Sequence, residues 1–176
     1  MNVAIANRQL TRKINLHLLK EITIALLADL KIKEAELGIN LVAAREMTLI
    51  NETFLKHVGS TDVITFDYAI PATALVKSRG RTFPKKNRAF TSAATALHGE
   101  IFVCVDEAIA QAKKFKTSWQ SEIVRYIVHG ILHLLGHDDL KSNLRRRMKR
   151  EENRLLRRLS NKFSLAQIAG PSKISS

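Results

Sequence analysis

The sequence predicts a single α+β domain, a small four-stranded mixed sheet with helices packed on it. Short runs of β-branched and aromatic residues occur at four places, and stretches with apolar residues three and four apart lie among them. The two kinds of segment do not alternate strictly, as a doubly wound parallel fold would require. With 176 residues, 45% of them hydrophobic, the chain is long enough for one core and short for two.

The first strand is VAIANRQ, which alternates, and INLHLLKEITIALLADL then takes up helical spacing. ELGINLVAA reads as a second strand, and REMTLINETFLK as a helix with Met47, Ile50 and Phe54 on one face. DVITFDYAI is a third strand, stopped by Pro71. Residues 71–97, with Pro71, Gly80 and Pro84 among Ser and Thr, are long for a connection and read as a mobile basic loop. HGEIFVCVD forms the fourth strand, where Cys104 is an ordinary buried thiol, and DEAIAQAKKF the next helix. Thr117, with Gln120 three residues on, offers a capping box for a helix from Ser118 to Leu135, which Gly136 ends in a left-handed cap. LKSNLRRRMKREENRLLRRL is a last, basic helix. The domain thus spans residues 1–160, and residues 161–176 are expected to form a disordered tail.

No apolar run approaches the roughly 20 residues needed to cross a bilayer, so no membrane is expected as a partner. The N-terminal MNVAIANRQLTRK places its basic residues after the apolar stretch, the reverse of a secretory signal, so a cytoplasmic location is expected. The formal charge of +13 is unevenly spread. Residues 71–97 carry six basic residues and no acid, residues 141–176 carry eleven basic residues against Glu151 and Glu152, and the remainder is slightly acidic. Such a distribution suits a polyanion such as a nucleic acid. Aromatic residues make up only 6%, so contact with the phosphate backbone, rather than stacking on many bases, is the expected mode. Lys85, Lys86, Arg88, Arg145, Arg146 and Arg147 are the candidate nucleic-acid-binding residues of these two segments.

The chemistry gathers at HGILHLLGHDD, residues 129–139. His129 and His133 are four apart on a helix that Ile123, Val124, Ile127, Val128, Ile131, Leu132, Leu134 and Leu135 make apolar nearly all round. At 3.6 residues per turn both imidazoles project from one face and can share an ion. Burying them without partners would be costly. Gly136 reverses the chain and returns His137, Asp138 and Asp139 toward the pair. Imidazole and carboxylate both suit zinc, and three protein ligands leave open the fourth position that a catalytic site uses. A zincin peptidase needs Glu directly after the first His, and Gly130 occupies that place. A minimal metallopeptidase is therefore a weaker reading than a zinc hydrolase acting on a nucleic acid, or than a non-catalytic factor in which zinc holds the fold.

Four segments in order, INETF at 50–54, STDVITF at 60–66, HGEIFVCVD at 98–106 and HGILHLLGHDD at 129–139, resemble the YbeY family of bacterial endoribonucleases. That family carries HGxLHLxGYDH, a TDVLSF-like strand after an LNxxF helix, and a GDI strand. The resemblance implies a zinc-dependent, single-strand-specific endoribonuclease of the cytoplasm. It also implies work in 16S ribosomal RNA maturation at the small ribosomal subunit. One zinc per chain would be held by the first, second and last positions of the motif. His129 and His133 match two ligands directly. The family's final His falls on Asp139 and its Tyr on His137, so the third ligand is open between these two, with Asp139 favoured by position. Many members have Arg after the aromatic residue of LNxxF, where this chain has Leu55; Lys56 is adjacent, and Arg125, one turn before His129, can grip a phosphate or form an ion pair. His129, Arg125 and Asp138 are the candidates for catalytic roles, and Asp62 for orienting an imidazole or capping a turn.

Overall fold

The computed structural model of the chain describes residues 1–68 and 96–170. Strand β1 (Asn2–Asn7) leads to α1 (Leu16–Asp29), whose N-cap Asn15 accepts from Leu18 N, and then to β2 (Glu34–Val42). Helix α2 (Ala44–Ile50) runs into a π turn at Asn51–Leu55, followed by β3 (Val63–Asp67). Strand β4 (Ala96–Cys104) passes directly into α3 (Val105–Phe115), and α4 (Trp119–Leu134) and α5 (Ser142–Lys162) complete the helices. The four strands lie in the order β1-β2-β4-β3, with β1, β2 and β4 parallel and β3 antiparallel to β4. The expected α+β class and mixed four-stranded sheet are what the chain forms.

Period-2 alternation sends Leu37, Ile39 and Leu41 of β2 and Leu97, Ile101 and Val103 of β4 into one core with α1, α4 and α5. The opposite face carries a smaller cluster of Val42, Met47, Ile64 and Cys104, against which Leu55, Phe66 and Phe102 pack. Helix α4 is central, touching β3, β4, α1, α3 and α5. It lies unusually close to the sheet: a Cβ on Gly130 would stand 2.8 Å from Ile101 Cγ2 and 3.1 Å from Thr65 Cγ2. The glycine that argues against a peptidase therefore faces the sheet, where a glutamate has no room.

Two expectations are corrected. The N-cap of α4 is Ser118, whose hydroxyl accepts from Ser121 N, and Thr117 instead donates to Glu122 Oε1 at 2.7 Å. Residues 161–170 do not fray. Helix α5 continues to Lys162, and a 3₁₀ turn at Leu165–Ile168 buries both of those side chains because they complete the apolar face of the core. The segment is then stitched to the start of α1 by Asn15 N to Ile168 O at 2.8 Å and Gly170 N to Lys13 O at 3.0 Å. Residues 171–176, like the basic stretch with Lys85, Lys86 and Arg88, lie outside the described residues.

Candidate metal centre

The end of α4 is a full Schellman turn. Gly136 adopts φ +91°, its N–H bonds His133 O at 2.9 Å, and His137 N–H bonds Leu132 O at 3.0 Å. This reversal brings the His137 carbonyl beside the preceding turn, where His133 Nδ1 meets it at 3.1 Å. His129 Nδ1 meets Glu152 Oε2 of α5 at 3.2 Å. A carbonyl and a carboxylate can only accept, so each imidazole donates from Nδ1 in these bonds, which turns its Nε2 toward the other ring and Asp139. The two Nε2 atoms stand 3.0 Å apart, and Asp139 places its Oδ2 4.0 Å from His129 Nε2 and its Oδ1 3.9 Å from His133 Nε2. Ligands on a tetrahedral zinc with bonds of about 2.0–2.1 Å are separated by about 3.3 Å. The donor set and its spacing therefore fit a zinc ion with a small inward movement of the carboxylate.

Among the described residues, His129, His133 and Asp139 are the group of His, Cys and acidic residues that converges in this way. His137 contributes its carbonyl to the site. Asp138 turns its carboxylate to Leu140 N at 2.9 Å, capping the turn that presents Asp139. Arg145 Nε donates to the Asp139 carbonyl at 3.0 Å, fixing the same turn from α5.

Glu152 is the member that sequence reading missed. It is 4% exposed, and besides His129 it receives Arg125 Nη1 at 2.6 Å, with Lys149 Nζ at 3.6 Å. Burial by itself would raise its carboxyl, but the hydrogen bonds from His129 and Arg125 and the charges of Lys149 and Arg125 outweigh it and hold the group below the ordinary carboxylate range. Arg125 also lies 3.5 Å from the buried Glu122, so the ion-pair alternative is the arrangement it adopts. The signal was in the pattern: Glu152 interrupts the apolar stripe Met148, Leu155, Leu159 of α5, and an acid there needs a buried partner.

A cavity of about 410 Å³ opens beside the centre, lined by His129, Asp139, Arg145, Lys149, Glu152 and Tyr126 among others. Neither Leu55 nor Lys56 lines it; Leu55 packs into the small cluster across the sheet, and Lys56 is the left-handed cap of the π turn. Arg146 and Arg147 are exposed on the first turns of α5.

The family description Endoribonuclease YbeY matches residues 4–160. The chain belongs to the YbeY family. Among proteins named Endoribonuclease YbeY, that of Chlorobium phaeovibrioides is 34% identical over 64% of this chain and 61% of its own length. That of Myxococcus xanthus is 33% identical over 75% of this chain and 39% of its own. The chain thus spans less than two thirds of these two relatives, whereas with the Finegoldia magna protein, at 29% identity, the match covers 90% and 94%. A Thermotoga maritima protein solved in solution shares the fold with a TM-score of 0.60 over 99% of each chain, at 18% identity. Two YbeY motif positions take structural places here. Asp62 accepts from Val63 N and Thr61 Oγ1, the turn-capping alternative, and Glu100 accepts from Tyr68 Oη. No helix among the described residues is long and apolar enough to cross a membrane.

Proposed function

We propose that this YbeY-family chain is a zinc-dependent, single-strand-specific endoribonuclease, with His129, His133 and Asp139 as ligands of one zinc ion. The observation that carries the reading is the convergence of two Nε2 atoms 3.0 Å apart and the Asp139 carboxylate about 4 Å from each, at the edge of a cavity to which α5 contributes Arg145 and Lys149 as well as Glu152. Zinc bound there supplies a Lewis acid and lowers the pKa of a coordinated water to about 7. The protein's own groups do the rest. Arg145, at the cavity and anchored through Nε to the Asp139 carbonyl, grips the scissile phosphate. It takes the role open to Arg125, which is committed to Glu152. Asp138 acts by holding the ligand turn. Arg146 and Arg147 follow the RNA backbone along the exposed side of α5, with Lys56, Lys85, Lys86 and Arg88 as further contacts. The natural substrate on this reading is 16S ribosomal RNA at the small ribosomal subunit in the cytoplasm.

The test is zinc content measured alongside cleavage of a single-stranded RNA. Wild type is expected to hold about one zinc per chain, and His129→Ala, His133→Ala and Asp139→Ala to lose both metal and cleavage. His137→Ala is expected to keep its zinc, and Arg145→Ala to cleave about a hundredfold more slowly with zinc retained. A zinc-loaded wild type that leaves RNA intact would instead support the non-catalytic factor, which the apolar placement of Leu55 favours.

A further inference from the structure

We propose that Glu152 is the positioning residue of this centre: anchored by Arg125, its carboxylate accepts the Nδ1 proton of His129 and so dedicates Nε2 of that ring to the ion. The inference rests on the zinc reading above and goes beyond it by assigning the group that prepares one ligand. An imidazole offers two equivalent-looking nitrogens, and an unheld ring would divide its population between two tautomers and several rotations. Glu152 removes that freedom at 3.2 Å from Nδ1.

Its own freedom is removed in turn. The carboxylate belongs to a residue 4% exposed, its second oxygen lies 2.6 Å from Arg125 Nη1, and Arg125 is braced 3.5 Å from Glu122. Glu122 receives the Thr117 hydroxyl at 2.7 Å. A chain of contacts thus runs from the start of α4 through Arg125 and Glu152 to His129. The arrangement is asymmetric: His133 is held by a backbone carbonyl of its own helix end, whereas His129 depends on a side chain delivered by α5. Losing such an outer partner weakens metal binding by about 10- to 100-fold.

Zinc affinity, read by competition with a coloured chelator, tests this on the full chain. Glu152→Gln keeps the size of the side chain but weakens the acceptor, and it is expected to raise the zinc Kd by about 10-fold or more. Glu151→Gln removes the same charge from the adjacent position, where the carboxylate pairs with Arg154, and is expected to leave the Kd within about 2-fold. Should Arg125, left short of a partner, compromise folding of Glu152→Gln, the double variant Arg125→Met/Glu152→Gln removes that charge and is expected to show the same loss of affinity. In the zinc-loaded wild type the His129 Nδ1 proton should be a downfield, slowly exchanging NMR signal that moves upfield in Glu152→Gln. Unchanged affinity in a folded Glu152 variant, or an equal loss in Glu151→Gln, overturns the proposal. A wild type that binds no zinc overturns the underlying reading instead.

Discussion

Tyr126 illustrates what a single side chain can reveal in this molecule. It is 4% exposed on α4, and its hydroxyl has no hydrogen-bond partner among the described residues. Burial first, then the carboxylates of Asp62, Glu122 and Glu107 and the Cys104 thiol, push its phenol well above the ordinary value. An unfolded chain releases that proton from about pH 10, while the folded protein keeps it. Tyr126 therefore favours the unfolded state increasingly as pH rises above about 10, and has no such effect below. Tyr126→Phe is expected to remove this alkaline loss. At neutral pH it should cost almost nothing, whereas a well-bonded tyrosine would give up about 1 kcal/mol. Denaturation of both proteins at neutral and alkaline pH checks both statements.

Helix α4 shows how far element-level reading reached and where it stopped. Its apolar periodicity and its glycine cap are local properties, so the helix, its end and the pairing of His129 with His133 were all legible. The partner of His129 was not, because Glu152 lies 23 residues away and meets it only through the packing of α5 on α4. The same holds for Arg125, whose sequence neighbours permit a phosphate grip or an ion pair with equal ease. Gly130 was readable as an argument against one enzyme class, but its contact with Ile101 and Thr65 required the helix to be set on the sheet. In a free helix, Gly→Ala stabilises by about 1 kcal/mol. Here the added Cβ meets a branched carbon near its backbone, and overpacking of this kind costs about 1–3 kcal/mol. Gly130→Ala is expected to be net destabilising by about 1 kcal/mol in chemical denaturation.

For the molecule as a whole, the charge map divides along α5. Its inner stripe carries Glu152 among Met148, Leu155 and Leu159, while Arg145, Arg146 and Arg147 remain exposed. RNA affinity is expected to fall steeply with salt, and neutralising these three arginines should lower both the affinity and the slope of its logarithm against that of salt by about 0.7 per contact. Titration of single-stranded RNA at several salt concentrations measures both. Deleting residues 163–170 is expected to damage the fold itself, since burial of Leu165 and Ile168 is worth about 1.5–3 kcal/mol for each side chain. Sequence reading took this stretch for a tail because it is short and lacks a long periodic run. The bonds that join residues 13–15 to 168–170 have a mechanical meaning as well. They tie the far end of α5, already packed on the core along its inner stripe, to the root of α1, as Arg145 ties its near end to the turn that carries Asp139. A pull on its outer arginines, such as RNA would exert on the reading proposed above, would then be borne by the core instead of being lost in a hinge.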